Sequence, residues 1–341
     1  MNTKIFTALL VFSATFNAWA QDVAKLPAVN APTTQTRPFS LERFNLPGPV
    51  TGVAVKVDLD DPRVHVQVAL ADNRDPDGAG PCVGLLDTPS NVARKQDFQI
   101  TLNASYFAAP VAREFAGQKI RYFVGNGAYP VGWHFSDGKL ISSPAKDGMR
   151  ATIIVHTNGK VTINDHVKNL PADTQFAVSG NAMILSNGMA TPPTIDIVRH
   201  PRSAVGISKN GKTLIMIAVD GRQERSRGVT LGELAAIFQR YEAENAINLD
   251  GGGSTSLILK DPGTGVFSII NQPSDLSSLK LLTATGTGTG VGTRTGIAIE
   301  RPIVDVIGIK IDPVTNENTA TFPVPQTAPK TAHDQLGQPG H

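Results

Sequence analysis

The sequence has one cysteine, Cys82, which rules out an intramolecular disulfide. It also lacks an excess of either charge, with 31 lysines and arginines against 29 aspartates and glutamates. No basic block stands out, so nucleic acid is not an expected partner. The 7 histidines include no H-x-x-x-H pair and no Cys/His cluster, so the spacing of a transition-metal site is missing. There is no G-x-S-x-G and no evident Ser/His/Asp set for nucleophilic catalysis. The apolar stretch from Ile5 to Phe16 falls short of the ~20 residues that cross a bilayer.

That stretch has a different use. It follows Lys4 and precedes Ala18-Trp19-Ala20, an A-x-A cleavage site, so residues 1–20 read as a signal peptide cut before Gln21, with an uncleaved anchor as the alternative. The expected location is periplasmic or secreted, with no stable membrane span after cleavage. Loss of Lys4 leaves 30 basic against 29 acidic side chains, close to neutral. Residues 21–38 carry Pro, Ala, Thr and Gln without an apolar period and read as a flexible leader. Residues 39–311 have the texture of one domain. The tail, 318–341, is Pro-, Thr- and Gln-rich and is expected to be disordered.

Within the domain, Val53, Val55 and Val57 alternate, as do Val64, Val66 and Val68, with Asp60-Asp61-Pro62 between them; this predicts a hairpin. Further apolar pairs flank Asp137-Gly138, Asn158-Gly159, Asn187-Gly188 and Asn210-Gly211, steps that accept the positive φ of tight turns. The middle of the chain therefore reads as a β-meander. A short helix is expected at 90–95 and a strand at 98–102. One helix is clear: Thr230 and Glu233 form a capping box, and Leu231, Leu234, Ala235, Phe238 and Tyr241 make a stripe at helical spacing. The order strand (214–219), helix (231–244), strand (247–249) predicts a crossover with parallel strands. The fold class expected is α+β: a mixed, mostly antiparallel sheet, a few packed helices, and that one parallel strand-helix-strand crossover. Asp220 and Asp250 would then end two strands on one edge, where ligand crevices form.

Asp250 opens the most unusual stretch, Ile247-Asn248-Leu249-Asp250-Gly251-Gly252-Gly253-Ser254-Thr255. Three consecutive glycines are costly in backbone entropy and are kept where no side chain fits or where a ligand approaches the backbone. Their NH groups can form an anion nest. A plain tight turn is the alternative. A phosphate-binding P-loop would need a lysine where Ser254 and Thr255 stand.

These residues resemble a known family. Asn248 to Ser254 looks like the signature of the phosphodiester glycosidases, which remove α-N-acetylglucosamine from N-acetylglucosamine-1-phosphodiesters. Three further segments fit in order: Asn103-Ala104-Ser105-Tyr106-Phe107, Pro201-Arg202-Ser203-Ala204-Val205-Gly206, and Val219-Asp220-Gly221-Arg222 followed by Gly228-Val229-Thr230-Leu231. The resemblance covers roughly residues 95–300. Family members often carry an Arg-Pro-Val-like stretch before the last strand; here Thr293-Arg294-Thr295-Gly296, after a Gly/Thr repeat, departs from that pattern.

The resemblance implies hydrolysis of the sugar–phosphate C–O bond, in surface glycans. Asp250 would be nucleophile or general base, and Asp220 a second carboxylate or an orienting partner for Arg202 or Arg222. Arg202 would clamp phosphate, because a guanidinium offers two parallel donors. Gly251, Gly252, Gly253, Ser254 and Thr255 would complete the anion site, and Asn103 and Asn248 would bond the sugar. For each there is a plainer use: a turn cap for Asp250, a surface position for Arg202, satisfied strand-end amides for the asparagines. No cofactor is required. A divalent cation such as calcium could be held by Asp220, Asp250 and carbonyls. Trp133 could stack on a sugar or sit in the core, and Cys82 is expected to be inert. The expected partner is a carbohydrate phosphodiester. Two other functions share this scaffold: a non-catalytic glycan-binding or exopolysaccharide-assembly protein, and a phosphodiesterase cutting P–O.

Overall fold

The computed structural model describes residues 37–115, 117–145, 151–191, 198–275 and 300–313. Residues 1–36, where the signal peptide and most of the leader are expected, the Gly/Thr repeat and the tail expected at 318–341 lie outside them. The chain divides into two units, Met1–Ile311 and Asp312–His341, and every element below belongs to the first.

Three sheets carry the fold. The first has seven strands in the order Phe39–Leu46, Val50–Asp58, Thr213–Val219, Arg202–Ser208, Ala243–Asn248, Ala182–Ser186, Met189–Ala190. The second is Lys139–Ser142, His134–Ser136, Thr174–Gly180, Ala151–His156, Val161–Asn164. The third is Phe267–Ile269, Leu257–Lys260, Ile100–Asn103, Asp305–Ile311, Val64–Leu70. Alternation along Val50–Asp58 sends Val53, Val55 and Val57 into a core shared by all three sheets, where they join Ile153, Phe176, Ile100 and Ile307. Ala54 points the other way, into a second core roofed by a helix. Thr213–Val219 is buried on both faces, Leu214 and Met216 in one core and Ile215 and Ile217 in the other. That is why its sequence reads as an unbroken apolar run.

Helix α1 is Pro89–Gln96 and α2 is Leu231–Arg240. The capping box of α2 forms as read: Thr230 accepts from the Glu233 N–H, and Glu233 accepts from the Thr230 N–H. Leu234, Ala235 and Phe238 bury its stripe on the first sheet. The glycine-containing turns form as well, with Asp137 and Asn187 both at positive φ.

The expected fold class does not hold. Every strand pair among the described residues is antiparallel, and the described helices are two short ones, so the domain is an antiparallel β-structure rather than a helix-packed α+β fold. Strands Thr213–Val219 and Ala243–Asn248 do flank α2 in the chain, but Arg202–Ser208 lies between them and pairs antiparallel with both. The helix carries the chain over a hairpin to its far side, so no parallel pair forms. The hairpin expected around Asp60-Asp61-Pro62 is also absent: Val50–Asp58 belongs to the first sheet, Val64–Leu70 to the third. Their valines meet across the core instead of side by side. Alternation identified the buried faces but not the pairing partners.

Candidate active site

Because Arg202–Ser208 runs against both neighbours, its start lies where they end. Arg202 pairs with Val219, and Ala204 with Asn248. Arg202, Asp220 and Asp250 therefore share one edge of the sheet. Beyond Asp250 the chain makes a 3₁₀ turn, Gly252–Ser254, and enters the third sheet at Leu257.

This bend is pinned from several sides. The Asp250 N–H donates to Ala104 O at 2.9 Å, Gly252 N–H to Pro201 O at 2.9 Å and Leu249 N–H to Ser203 O at 2.8 Å. Asn103, fully buried, donates from Nδ2 to Asp250 O (2.6 Å), while its Oδ1 accepts from Ser203 Oγ (2.6 Å) and Ser256 N–H (3.1 Å). Its side chain thus helps to hold the bend. Asn248 is similar: its Nδ2 faces Tyr106 Oη, Asn181 Oδ1 and Leu249 O at 2.8–3.1 Å, although its buried Oδ1 has no partner. The glycines answer to crowding. Gly252 takes φ +61°, and a side chain on it would press against the Arg222 guanidinium; one on Gly253 would collide with Arg301.

The two aspartates fare differently. Asp220 is buried and fully engaged: Oδ2 accepts from Thr51 Oγ1 (3.0 Å), and Oδ1 from the Gln272 N–H (2.7 Å) and Asn271 Nδ2 (3.4 Å). Burial raises its pKa, and these donors oppose the rise. Neither Arg202 nor Arg222 is among those donors. Asp250 is half-buried at the mouth of the edge. Burial lifts its carboxyl to about 6, against the pull of Ser254, Arg301 and the Gly251 N–H, and the charge of Asp305 adds to the lift. The Ser254 hydroxyl faces the carboxylate without closing a well-formed hydrogen bond, and Thr255 Oγ1 is likewise buried and unpartnered. Asp305 is locked away, accepting from Ser105 N–H and Oγ and meeting His134 Nδ1, all at 2.7 Å.

The guanidiniums of Arg222 and Arg301 lie against the bend, and Arg202 starts the neighbouring strand. Arg202 is buried, with Nε donating to Val229 O (3.1 Å) and Nη2 to Val198 O (3.3 Å). Arg222 is exposed at φ +58°, its Nη2 3.4 Å from His200 Nδ1. Arg301 donates from Nε (3.2 Å) and Nη2 (3.0 Å) to Asp275 Oδ1 and lies 4.3 Å from the centre of the Tyr122 ring. Burial, then the nearby charge of Arg301, lowers the pKa of Arg222.

Arg301, Asp275 and Tyr122 escaped the reading of the sequence. Arg301-Pro302-Ile303, immediately before the strand Asp305–Ile311, fits the Arg-Pro-Val-like pattern that Thr293-Arg294-Thr295-Gly296 does not. Trp133 belongs to the core, its Nε1 donating to Val167 O. Burial pushes the Cys82 thiol up to about 11. Among the described residues no group of three His, Cys, Asp or Glu side chains is placed to hold a metal ion.

The sequence model of the phosphodiester glycosidases matches residues 97–310, most of the chain, and takes in Asn103, Arg202, Asp220, Asp250 and Arg301. The chain belongs to the phosphodiester glycosidase family. Curated relatives include bovine (Bos taurus) N-acetylglucosamine-1-phosphodiester alpha-N-acetylglucosaminidase, 42% identical over 35% of this chain and 19% of that protein. Another is the SPbeta prophage-derived protein YomE of Bacillus subtilis, 47% identical over 17% of this chain and 9% of that protein. The matched segments thus span under a fifth of these relatives' length. Among solved structures, the zebrafish N-acetylglucosamine-1-phosphodiester alpha-N-acetylglucosaminidase catalytic domain, auto-inhibited by its pro-peptide, superposes with a TM-score of 0.54. It is 20% identical over 84% of this chain and 87% of that one, a likeness of fold. No helix among the described residues is long and apolar enough to cross a membrane.

Proposed function

We propose that this phosphodiester glycosidase domain hydrolyses the bond between the anomeric carbon and the phosphate oxygen of a sugar-1-phosphodiester. The observation that carries the reading is the Asp250 carboxyl, half-buried with a pKa of about 6, beside a glycine bend flanked by guanidiniums. Above that pH it is a carboxylate. It then either takes a proton from a water that attacks the anomeric carbon or attacks that carbon itself, giving a glycosyl ester that water later opens. In both routes the C–O electron pair leaves with the phosphate. The products are a free sugar and a phosphomonoester, and so good a leaving anion needs no strong acid. Family membership and the bovine relative's name support N-acetylglucosamine-1-phosphodiesters as the substrate class.

Asp220 enters this reading as a support for the loop at Asn271-Gln272 rather than as a reacting group, since its oxygens already accept three hydrogen bonds. The signal-like leader supports an exported enzyme acting on surface glycans; cell fractionation with N-terminal sequencing of the mature chain tests this, and retention in the cytoplasm with Met1 intact would refute it. For the reaction, a panel of sugar-1-phosphodiesters is incubated in heavy-oxygen water. Label in the sugar supports the glycosidase, and label in the phosphate supports P–O cleavage instead. Glycan binding without any product would make the domain a binding protein.

A further inference from the structure

The guanidiniums beside the glycine bend differ in how far they are already committed. Arg301 has one acceptor, Asp275 Oδ1, which Nε and Nη2 share. Beneath it lies the Tyr122 ring, and beside it Gly253, whose missing side chain leaves the space the guanidinium fills. Arg222 has no carboxylate within ion-pair distance among the described residues, and its one hydrogen bond is the long contact with His200 Nδ1. Its Nη atoms lie against Gly252, the glycine before the one Arg301 touches. Two cationic forks thus flank adjacent glycines, with most of their donors unused.

Two like charges held this close call for an anion between them. The charges of Asp275, the partner of Arg301, and of Asp250 both act on Arg222, but neither carboxylate forms an ion pair with Arg222 within 4 Å. The Ser274 hydroxyl, next to Asp275, is buried and has no hydrogen-bond partner, and that of Ser254, next to Gly253, faces Asp250 without closing a well-formed bond. Planar forks suit tetrahedral oxyanions, which accept paired N–H donors.

We infer that Arg222 and Arg301 form a two-pronged clamp for a phosphate group over the Gly252-Gly253 bend, with Tyr122 positioning Arg301. The clamp rests on the reading of the site as one for sugar phosphodiesters and names the residues that hold the phosphate. It assigns that task away from Arg202, whose donors face the backbone carbonyls of Val229 and Val198. Tyr122 touches no substrate in this scheme. It supplies an aromatic face that fixes the plane of the Arg301 fork. It reaches the site from the segment between the strands Gln118–Ile120 and Gly127–Pro130.

The test is binding of inorganic phosphate to the full chain, by calorimetry at constant ionic strength, in wild type and variants. Arg222→Ala removes an exposed side chain and leaves the core intact; it should weaken phosphate by about tenfold or more. Arg301→Lys keeps the charge for Asp275 but loses the fork, and should also cost about tenfold. Tyr122→Leu should weaken binding about threefold, while Tyr122→Phe, which keeps the ring, restores it. Lys212→Ala, a surface cation paired with Asp60, should change nothing. Wild-type affinity in both arginine variants would overturn the clamp, as would failure of the wild type to bind phosphate at all. Equal loss in the Tyr122→Leu and Tyr122→Phe variants would remove the positioning role. The readout is independent of turnover. Arginine-dependent phosphate binding with no sugar phosphodiester cleaved supports the clamp and sinks the glycosidase. Cleavage lost on Asp250→Asn, with phosphate indifferent to both arginines, does the reverse.

Discussion

Asp220 and Asp250 end strands that run the same way out of the same sheet, on either side of Arg202–Ser208. Their surroundings diverge within a few residues. Behind Asp220 the chain meets Thr51, Asn271 and the Gln272 N–H, and the carboxylate is absorbed into the scaffold. Behind Asp250 come three glycines, which bring no side-chain donors, and the carboxylate stays half-buried with its pKa near 6 despite the pull of the Gly251 N–H and Ser254. Position on the sheet edge brings a carboxylate to the site. The donors that other segments pack against it decide whether it has reactivity left over.

The largest effect that would break this contrast is on turnover. Asp250→Asn should cut kcat by about a thousandfold or more while the circular dichroism spectrum stays native; a variant that retains wild-type turnover would end the assignment. Asp220→Ala should do the opposite, leaving turnover within about tenfold but lowering unfolding free energy by about 2–3 kcal/mol in urea, because buried donors lose their acceptor. A collapse of kcat in a chain that stays folded and stable would return Asp220 to the chemistry.

The next effect concerns pH and stability. A carboxyl whose folded-state pKa is raised stabilises the fold while protonated, below its unfolded value near 4, and loses that contribution as pH rises through about 6. Asp250→Asn should therefore raise stability at pH 8 by on the order of 1–3 kcal/mol and give no gain at pH 4. A gain that is equal at both pH values would mean that ionisation is not its source. Smallest is Thr51→Val, which takes one donor from Asp220 and brings it nearer to the condition of Asp250; a loss of about 1 kcal/mol is expected. Unchanged stability would show that this bond contributes nothing to the scaffold.

Much of this contrast was readable before the fold was known. Asp250 announced itself through three glycines in a row, and Thr230 with Glu233 marked the start of α2, because caps and glycine bends are local in sequence. The valines around Asp60-Asp61-Pro62 identified a buried face but not that the chain changes sheets there. The strand slipped between Thr213–Val219 and Ala243–Asn248 could not be inferred from the helix that joins them. Register is set by contacts far apart in the chain. Asn103 shows the same limit: an amide in a family motif reads as a ligand contact, yet its bonds to Asp250, Ser203 and Ser256 make it a brace. Tyr122 carries no motif at all and gains meaning from the ring face it turns to Arg301.

The most direct test of the account is the pH dependence of kcat/KM for wild-type enzyme on a sugar-1-phosphodiester. The free-enzyme profile should climb about tenfold per pH unit on its acid side and level off above about pH 6, as Asp250 becomes a carboxylate. A profile flat from pH 4 to 8, or one that falls as pH rises through 6, would contradict it.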